Sequence, residues 1–291
     1  MLTHKSKYAN HALKSVNKIY FSVWFGDDKS ELPFYVRRII KWNANVFKKN
    51  QIPFVVLYKG KKVGKQLSKM QSHIVKIDIS NFMYGNLTST LSANFVNERE
   101  TSDAFEVMCY LRFIVASKFF SNYECELTHI DCDFMISDDM MNDVQNLGDY
   151  EIASFGEGCT PCVWFKNSVY LQEFCDYFIS KPEKCDMVAL REFIATTQIK
   201  FRKIFLSDNL QMFLKNNAFL SYSIRAKLNK ICKLYKIDIP HDKRDKDFLM
   251  KLSTYIRFEN KRIFFDNEPV PFVHFQGWTR LLARNIFTHL L

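Results

Sequence analysis

Glycine and proline are scarce, with 8 and 7 residues in a chain of 291. That excludes a collagen-like fibre and leaves no room for long glycine-rich tethers. No apolar run reaches the ~18 residues needed to cross a bilayer as a helix. The start, Met1-Leu2-Thr3-His4-Lys5-Ser6-Lys7-Tyr8, lacks the hydrophobic stretch of a signal peptide, so a cytoplasmic location is expected. No internal repeat or low-complexity segment is present. Cysteine is present, with 8 residues, but follows no framework spacing, which suits reduced thiols. The pair Cys159 and Cys162 lacks a second pair at zinc-ligand spacing, because Cys175 and Cys185 stand ten apart, and these thiols are read as structural.

What remains is a globular composition, 47% hydrophobic and 25% charged, with 28 Phe. It is enough for one sizeable core plus an appendage. The formal net charge is +10, and from Arg225 to Arg284 there are 14 Lys/Arg against 7 Asp/Glu. This basic stretch suits an anionic membrane, a nucleic acid or a phosphate-bearing substrate, and equally a solvated helix face.

Hydrophobic periodicity predicts strands at 18–25, 53–58 and 74–79, with a helix from about Ser30 to Lys49 that has Pro33 in its first turn. The order strand–helix–strand marks a parallel α/β sheet. A helix is predicted from Asp103, with Glu106 three residues on, to Phe120, and its apolar residues on most faces predict deep burial. Strands follow through Asp131 and Asp133, at 151–155 and at 162–165, then helices at 169–178 and 186–195. Residues 205–262 read as mainly helical and basic. Pro271–Phe275 reads as a late strand, and 278–291 as an amphipathic helix with apolar residues at 278, 281, 282, 286 and 290. Three parts are expected: a nucleotide-binding core over 1–204, a helical basic appendage over 205–265, and a closing segment over 266–291 that completes the site.

The run Thr128-His129-Ile130-Asp131-Cys132-Asp133 carries the strongest chemical signal. On a strand, Asp131 and Asp133 point the same way. Two carboxylates on one buried face are costly unless a cation neutralises them, and their oxygens suit Mg²⁺ or Mn²⁺. Such ions hold diphosphates, so a nucleotide-activated substrate is expected. Asp138 and Asp139 are read as helix-capping residues. In Val273-His274-Phe275-Gln276-Gly277-Trp278-Thr279-Arg280, the imidazole of His274 is expected to complete the metal shell, Gly277 to admit a phosphate closely, and Arg280 to hold its oxygens.

Tyr110-Leu111-Arg112-Phe113, the Asp131-Cys132-Asp133 run and His274-x-x-Gly277-x-x-Arg280 together resemble glycosyltransferase family 8 in order and spacing. The resemblance implies a GT-A fold, in which a mixed, Rossmann-like central sheet is flanked by helices. It implies a retaining transfer of a hexose from a nucleoside diphosphate sugar, with UDP as nucleotide and Mn²⁺ as metal, to a saccharide or glycolipid acceptor. It implies Asp131, Asp133 and His274 as metal ligands, Arg112 at the donor, and Asp186 near the sugar. Departures are Arg280 for a lysine, Leu281-Leu282 for Pro-Trp, and Met187 for a glutamine. The first strand, Ile19 to Gly26, is also similar to the start of related Asp-x-Asp sugar transferases, the glucosylating toxins and yeast-type mannosyltransferases, which implies that Trp24 stacks on the nucleotide base. Ordinary core packing of Trp24 is the alternative.

Two other classes compete. A nucleotidyltransferase also sets acidic pairs on a metal, but the Lys59–Lys65 stretch offers only Gly60 and Gly64 as a phosphate loop. A nucleic-acid-binding protein explains the charge and the phenylalanines but not the acidic pair, and no nucleic-acid partner is expected. Ile224, Leu228, Ile231 and Leu234 alternate with lysines at helical spacing. This stripe either packs on the sheet or makes peripheral contact with an anionic membrane.

Overall fold

The computed structural model describes residues 13, 15–70, 73–80, 103–143, 147–154, 161–181, 185–203, 246–265, 267–270, 272–275 and 279–289. These fall into two compact units, one made of Met1–Glu31, Gln51–Asp131 and Leu147–Ile204, the other of Leu32–Asn50, Cys132–Asn146 and Phe205–Leu291.

In the first unit, β1 (Lys18–Phe25) is the strand around which the others assemble. Its sequence is aromatic and β-branched, and Ile19, Tyr20 and Phe21 are fully buried. Burial on successive residues means both faces are covered, as in a parallel sheet. On one side β1 pairs in parallel with β2 (Phe54–Lys59), and β2 with β3 (Ile74–Asp78). On the other it pairs in parallel with β4 (Glu126–Ile130). Then follow β7 (Cys162–Phe165), β6 (Ile152–Ser154) and β8 (Phe201–Lys203), giving the order β3-β2-β1-β4-β7-β6-β8. The β4–β7 and β6–β7 pairs are antiparallel and β6–β8 is parallel, so β7 alone is reversed. The sheet is mixed and mostly parallel, and its order turns back at β1 and β4.

Helices α2 (Lys61–Ser68), α3 (Asp103–Phe120), α5 (Ser168–Ser180) and α6 (Asp186–Thr196) cover this sheet. As the sequence predicts, α3 is buried almost all round, and Tyr110, Phe113, Ala116 and Phe120 have no exposed surface. It shares a core with Phe21, Leu57, Ile77, Phe165 and Phe174. α5 is capped by Asn167, whose side chain accepts from the Val169 amide. α2 was not expected from the sequence. It starts at Gly60, whose φ of +117° places it in a region that favours glycine, and an added Cβ would stand 2.7 Å from the Asp27 carbonyl oxygen.

The second unit contains α1 (Phe34–Lys49), β5 (Phe134–Ile136), α4 (Asp138–Asp143), α7 (Lys246–Ser253), β9 (Ile256–Glu259), β10 (Arg262–Phe265), β11 (Glu268–Val270), β12 (Phe272–His274) and α8 (Thr279–His289). Pro33 sits at the N-cap of α1 rather than inside its first turn, and Lys48 and Lys49 suit the helix C-terminus. The buried stripe of α1 is Val36, Ile39, Ile40, Asn43, Val46 and Phe47. Strands β9, β10 and β11 form an antiparallel three-stranded sheet. This corrects the expectation of helix up to residue 262. Asn260 and Lys261 both take positive φ, 48° and 63°, the geometry of a tight two-residue hairpin turn. Residues 205–245, with the lysine-rich helical stripe, lie outside the described residues.

The polar member of the α1 stripe has a specific task. Asn43 is buried, its amide donates to the Phe134 carbonyl at 2.8 Å, and its oxygen accepts from the Ile136 amide at 3.0 Å. It thus serves β5 as a neighbouring strand would. Trp42 adds a bond from its indole N–H to the Ile136 carbonyl at 2.6 Å. Asn43→Ala would leave a buried N–H and a buried C=O unpaired. At ~1–3 kcal/mol for each orphaned group, the variant is expected to lose about 2–4 kcal/mol of stability, read as an earlier midpoint in urea melts.

Candidate functional site

The chain leaves β4 at Ile130 and enters β5 at Phe134, so Asp131, Cys132 and Asp133 form a link between strands. The expectation that both acids ride one strand is therefore corrected, and strict two-residue alternation does not place them. Their backbone is fixed at each end instead. The Asp131 amide donates to the Pro161 carbonyl at 2.8 Å, and the Asp133 carbonyl accepts from the Phe275 amide at 3.0 Å.

Asp131 belongs to a buried ionic cluster. Arg112, on α3, hydrogen-bonds through one terminal nitrogen to Asp131 and through the other to Asp186. The side chains of Arg112 and Asp186 are 12% and 6% exposed, so water does little to screen either charge. Burial works against the guanidinium, but the carboxylates of Asp131 and Asp186 outweigh it and hold its pKa above the ordinary range. Arg112 also lies over the Phe113 ring at 5.0 Å. Asp186 opens α6, where an acid suits the helix dipole. His129, buried against Phe21 and Phe113, has its Nε2 3.6 Å from Asp131 Oδ1. The sequence reading missed this contact, although two-residue alternation along the strand sets His129 on the same face as Asp131.

Asp133 has its own cationic partners. Pairing of β12 with β5 puts His274 opposite Phe134, which brings His274 Nε2 to 3.2 Å from Asp133 Oδ1. Arg280, in the first turn of α8, donates from Nε and a terminal nitrogen to Asp133 Oδ2 at 3.1 and 3.0 Å. A cation at a helix N-terminus is disfavoured by the dipole, so this carboxylate is what makes the position tolerable. Burial alone would raise the Asp133 carboxyl, but the hydrogen bond and charge of His274, then those of Arg280, hold it below its usual range. Tyr35 senses the same group: burial raises its phenol, with Arg280 opposing and Asp133 adding to the rise.

One ligand atom each from Asp131, Asp133 and His274 lies within 4.8 Å of the others. Ligands bonded at about 2.1 Å to an octahedral ion stand about 3 Å apart when adjacent and about 4.2 Å when opposite. The 3.2 Å His274–Asp133 distance matches the adjacent spacing, and the full spread closes with a small shift. Two carboxylate oxygens and one imidazole nitrogen suit Mn²⁺, and Mg²⁺ less well. The donor set therefore fits a divalent cation.

Trp24 is the penultimate residue of β1, half-buried, and its indole N–H has no hydrogen-bond partner among the described residues. Gly277 lies outside the described residues. Asp138 and Asp139 lie within the first turn of α4 rather than capping it; the Ser137 hydroxyl accepts from the Asp139 amide at 3.1 Å, and the two acids pair with Lys49 and with Arg262 (3.0 Å). No helix among the described residues is long and apolar enough to cross a membrane.

No family model and no curated protein matches the chain. Solved structures similar to it include the following three. Mouse xyloside xylosyltransferase 1 in its apo form has a TM-score of 0.41 at 6% identity, covering 64% of this chain and 84% of that one. The PaToxG glycosyltransferase has a TM-score of 0.37 at 12% identity, covering 79% and 80%. A transferase bearing two cysteine-to-serine substitutions has a TM-score of 0.37 at 15% identity, covering 68% and 89%. At these TM-scores the functional reading rests on the residues of this chain.

Replacing Arg112 by Met would leave Asp131 and Asp186 facing each other without their shared cation. The expected loss is about 3–5 kcal/mol, the scale of breaking a buried ion pair from one side. Arg112→Lys keeps the charge but not the two-pronged geometry, so its midpoint should fall between those of the wild type and Arg112→Met in the same denaturation series.

Proposed function

We propose that this chain is a metal-dependent glycosyltransferase that moves a hexose from a nucleoside diphosphate sugar to a saccharide or lipid-linked saccharide. The observation that carries the reading is the convergence of two neighbouring carboxylates, Asp131 and Asp133, with His274, 141 residues further along the chain, within 4.8 Å. Those three side chains would hold Mn²⁺ or Mg²⁺. Such an ion supplies electrostatic stabilisation to a diphosphate that gains negative charge as its bond to the sugar breaks.

The remaining roles belong to the chain's own groups. Arg280 has a 44% exposed side chain, which lets it reach a diphosphate oxygen while it stays near Asp133. Arg112 fixes Asp131 in place, and Asp186 fixes Arg112, so Asp186 orients and is not a nucleophile. Hexose, UDP, GT-A subclass and retention of configuration follow from the resemblance to glycosyltransferase family 8. The basic C-terminal stretch supports a lipid-linked acceptor at an anionic membrane surface. The nucleotidyltransferase reading loses its phosphate loop, because Gly60 serves a strained turn against Asp27 and Gly64 lies against the Tyr58 ring.

Neutralising the two acids tests the reading. The wild-type protein should melt higher with UDP and Mn²⁺ together than with either alone, and should hydrolyse or transfer from a UDP-sugar only with the metal. The Asp131→Asn, Asp133→Asn double variant should lose the joint shift, and its turnover should fall on the order of 10²–10³-fold. Undiminished turnover in a folded double variant would overturn the proposal.

A further inference from the structure

Helix α1 carries five Lys/Arg and no Asp/Glu. At about 100° per residue its buried stripe centres on one side, and Phe34, Arg37, Arg38, Lys41 and Lys48 fall on the other. Phe34 is 38% exposed, Lys41 and Lys48 are exposed, and the two arginines are half-buried. Among the described residues Lys49 pairs with Asp138, and no carboxylate pairs with Arg37, Arg38, Lys41 or Lys48. A face that needs only water interleaves the two signs, as at α2, where Lys61 meets Asp28 and Lys62 meets Glu31. On α1, Arg37 and Arg38 instead stand four and three residues before Lys41, spacings at which like charges destabilise a helix by ~0.2–0.5 kcal/mol a pair. An anion lying along the face offsets that repulsion.

The face has a direction, because α1 and β5 run side by side within one unit. Near the start of α1, the phenol of Tyr35, raised by burial, also feels the charges of Arg280 and Asp133. At the middle, Asn43 bonds the backbone of Phe134 and Ile136. At the end, Lys49 reaches Asp138. The cationic face therefore begins beside Asp133 and leads away from it, over about 21 Å from Phe34 to Lys48. At the near end, Cζ of Arg37 and of Arg38 stand 5.8 and 5.1 Å from the centre of the Phe34 ring. Nε of Arg37 is buried with no hydrogen-bond partner among the described residues. One guanidinium fork already satisfies the two oxygens of a carboxylate, whereas two forks at one ring suit the four oxygens of a phosphate.

We propose that this face of α1 is a track for a polyanionic acceptor, a saccharide chain whose repeats carry phosphate. The inference deepens the glycosyltransferase reading given above and rests on it for the acceptor role. A chain with a charge on each repeat is extended by its own repulsion, so it lies along a straight row of cations and engages several of them at once. Its end beside Asp133 is the end that reaches the reacting centre, and the Phe34 ring offers a sugar ring a flat apolar surface. The row has one aromatic residue. A single-stranded nucleic acid is held by a series of stacking rings, and a helix lying on a bilayer buries a whole apolar face, so neither matches the row as well.

Calorimetry in EDTA, which keeps metal away, tests the track apart from the donor site. The probes are a short phosphodiester-linked hexose oligomer and the uncharged oligomer of the same hexose and length. The wild-type protein should bind the charged oligomer at least about tenfold more tightly, the scale of one charged hydrogen bond. Its log affinity should fall against log salt with a slope of about −2 to −3, as three to four phosphate contacts imply. Arg38→Gln with Lys41→Gln should bring the two oligomers to within about threefold of each other. Lys61→Gln with Lys62→Gln removes as much charge from α2 and should keep the preference. These positions are exposed or half-buried, so both variants are expected to fold, and melting curves check it. Equal wild-type binding of both oligomers, a preference that survives in the α1 variant, or an equal loss in the α2 variant would overturn the track and leave the donor reading to its own UDP and Mn²⁺ test. Tighter binding of a deoxythymidine oligomer of equal charge, or of phosphatidylglycerol vesicles, lost in the same α1 variant, would overturn the saccharide in favour of that partner. Oligomer binding through α1 in a protein that shows no joint UDP and Mn²⁺ shift would keep the phosphate track and overturn the transferase reading.

Discussion

Buried carboxylates have to be neutralised, and the heart of this molecule is arranged around that requirement. Asp131, Asp133 and Asp186 are each held by a guanidinium: Arg112 serves two of them and Arg280 the third. An acid left alone in such surroundings takes up a proton or destabilises the fold by several kcal/mol. The buried helix α3 spends one position on Arg112 for this reason, although nearly every neighbour on that helix is apolar. His274 adds a polar group beside Asp133, and in the proposed function it is also a ligand of the ion. The same residues therefore stabilise the fold and, in the proposed function, hold the ion.

Strand pairing supplies the positions. Asp133 and His274 are 141 residues apart in the chain, and the register of β5 with β12 sets them side by side. Asn43 and Trp42 hold β5 from α1 by bonding its backbone, so a short strand with one strand neighbour is still fully engaged. In the other unit, the Pro161 carbonyl ties down the amide of Asp131, and Ser22 on β1 donates to the Ile130 carbonyl at 2.7 Å.

Much of this is legible in the sequence, and particular residues show why. β1, β2, β3, α1, α3 and α8 were readable because long apolar periodicities dominate local propensity there. Asp131, Asp133 and His274 were legible as a group by residue type and order, and the structure does bring them together, but the geometry expected for the acids was wrong, since a turn between two strands does what a strand was expected to do. The hairpin at Asn260 and Lys261 was hidden because lysine rarely takes a positive φ, and the surrounding charge suggested a helix. The contact of Asp186 with Arg112 was not legible at all, because it depends on the packing of α3 against α6, whereas His129 and Asp131 stand two residues apart on one run and their contact was simply overlooked.

The placement of Lys76 on β3 bears on how copies of this chain meet one another. Among the described residues β3 is the last strand of the sheet on its side, and an outermost strand presents unsatisfied backbone groups to any passing β-strand. Lys76 sits in the middle of it, half-buried, with its ammonium anchored to the Met70 carbonyl at 2.9 Å and its pKa lowered by burial. A second chain adding there would have to bury that ammonium more deeply, next to the exposed acid of Asp78. The margin of the sheet is thereby guarded against fibre-like stacking.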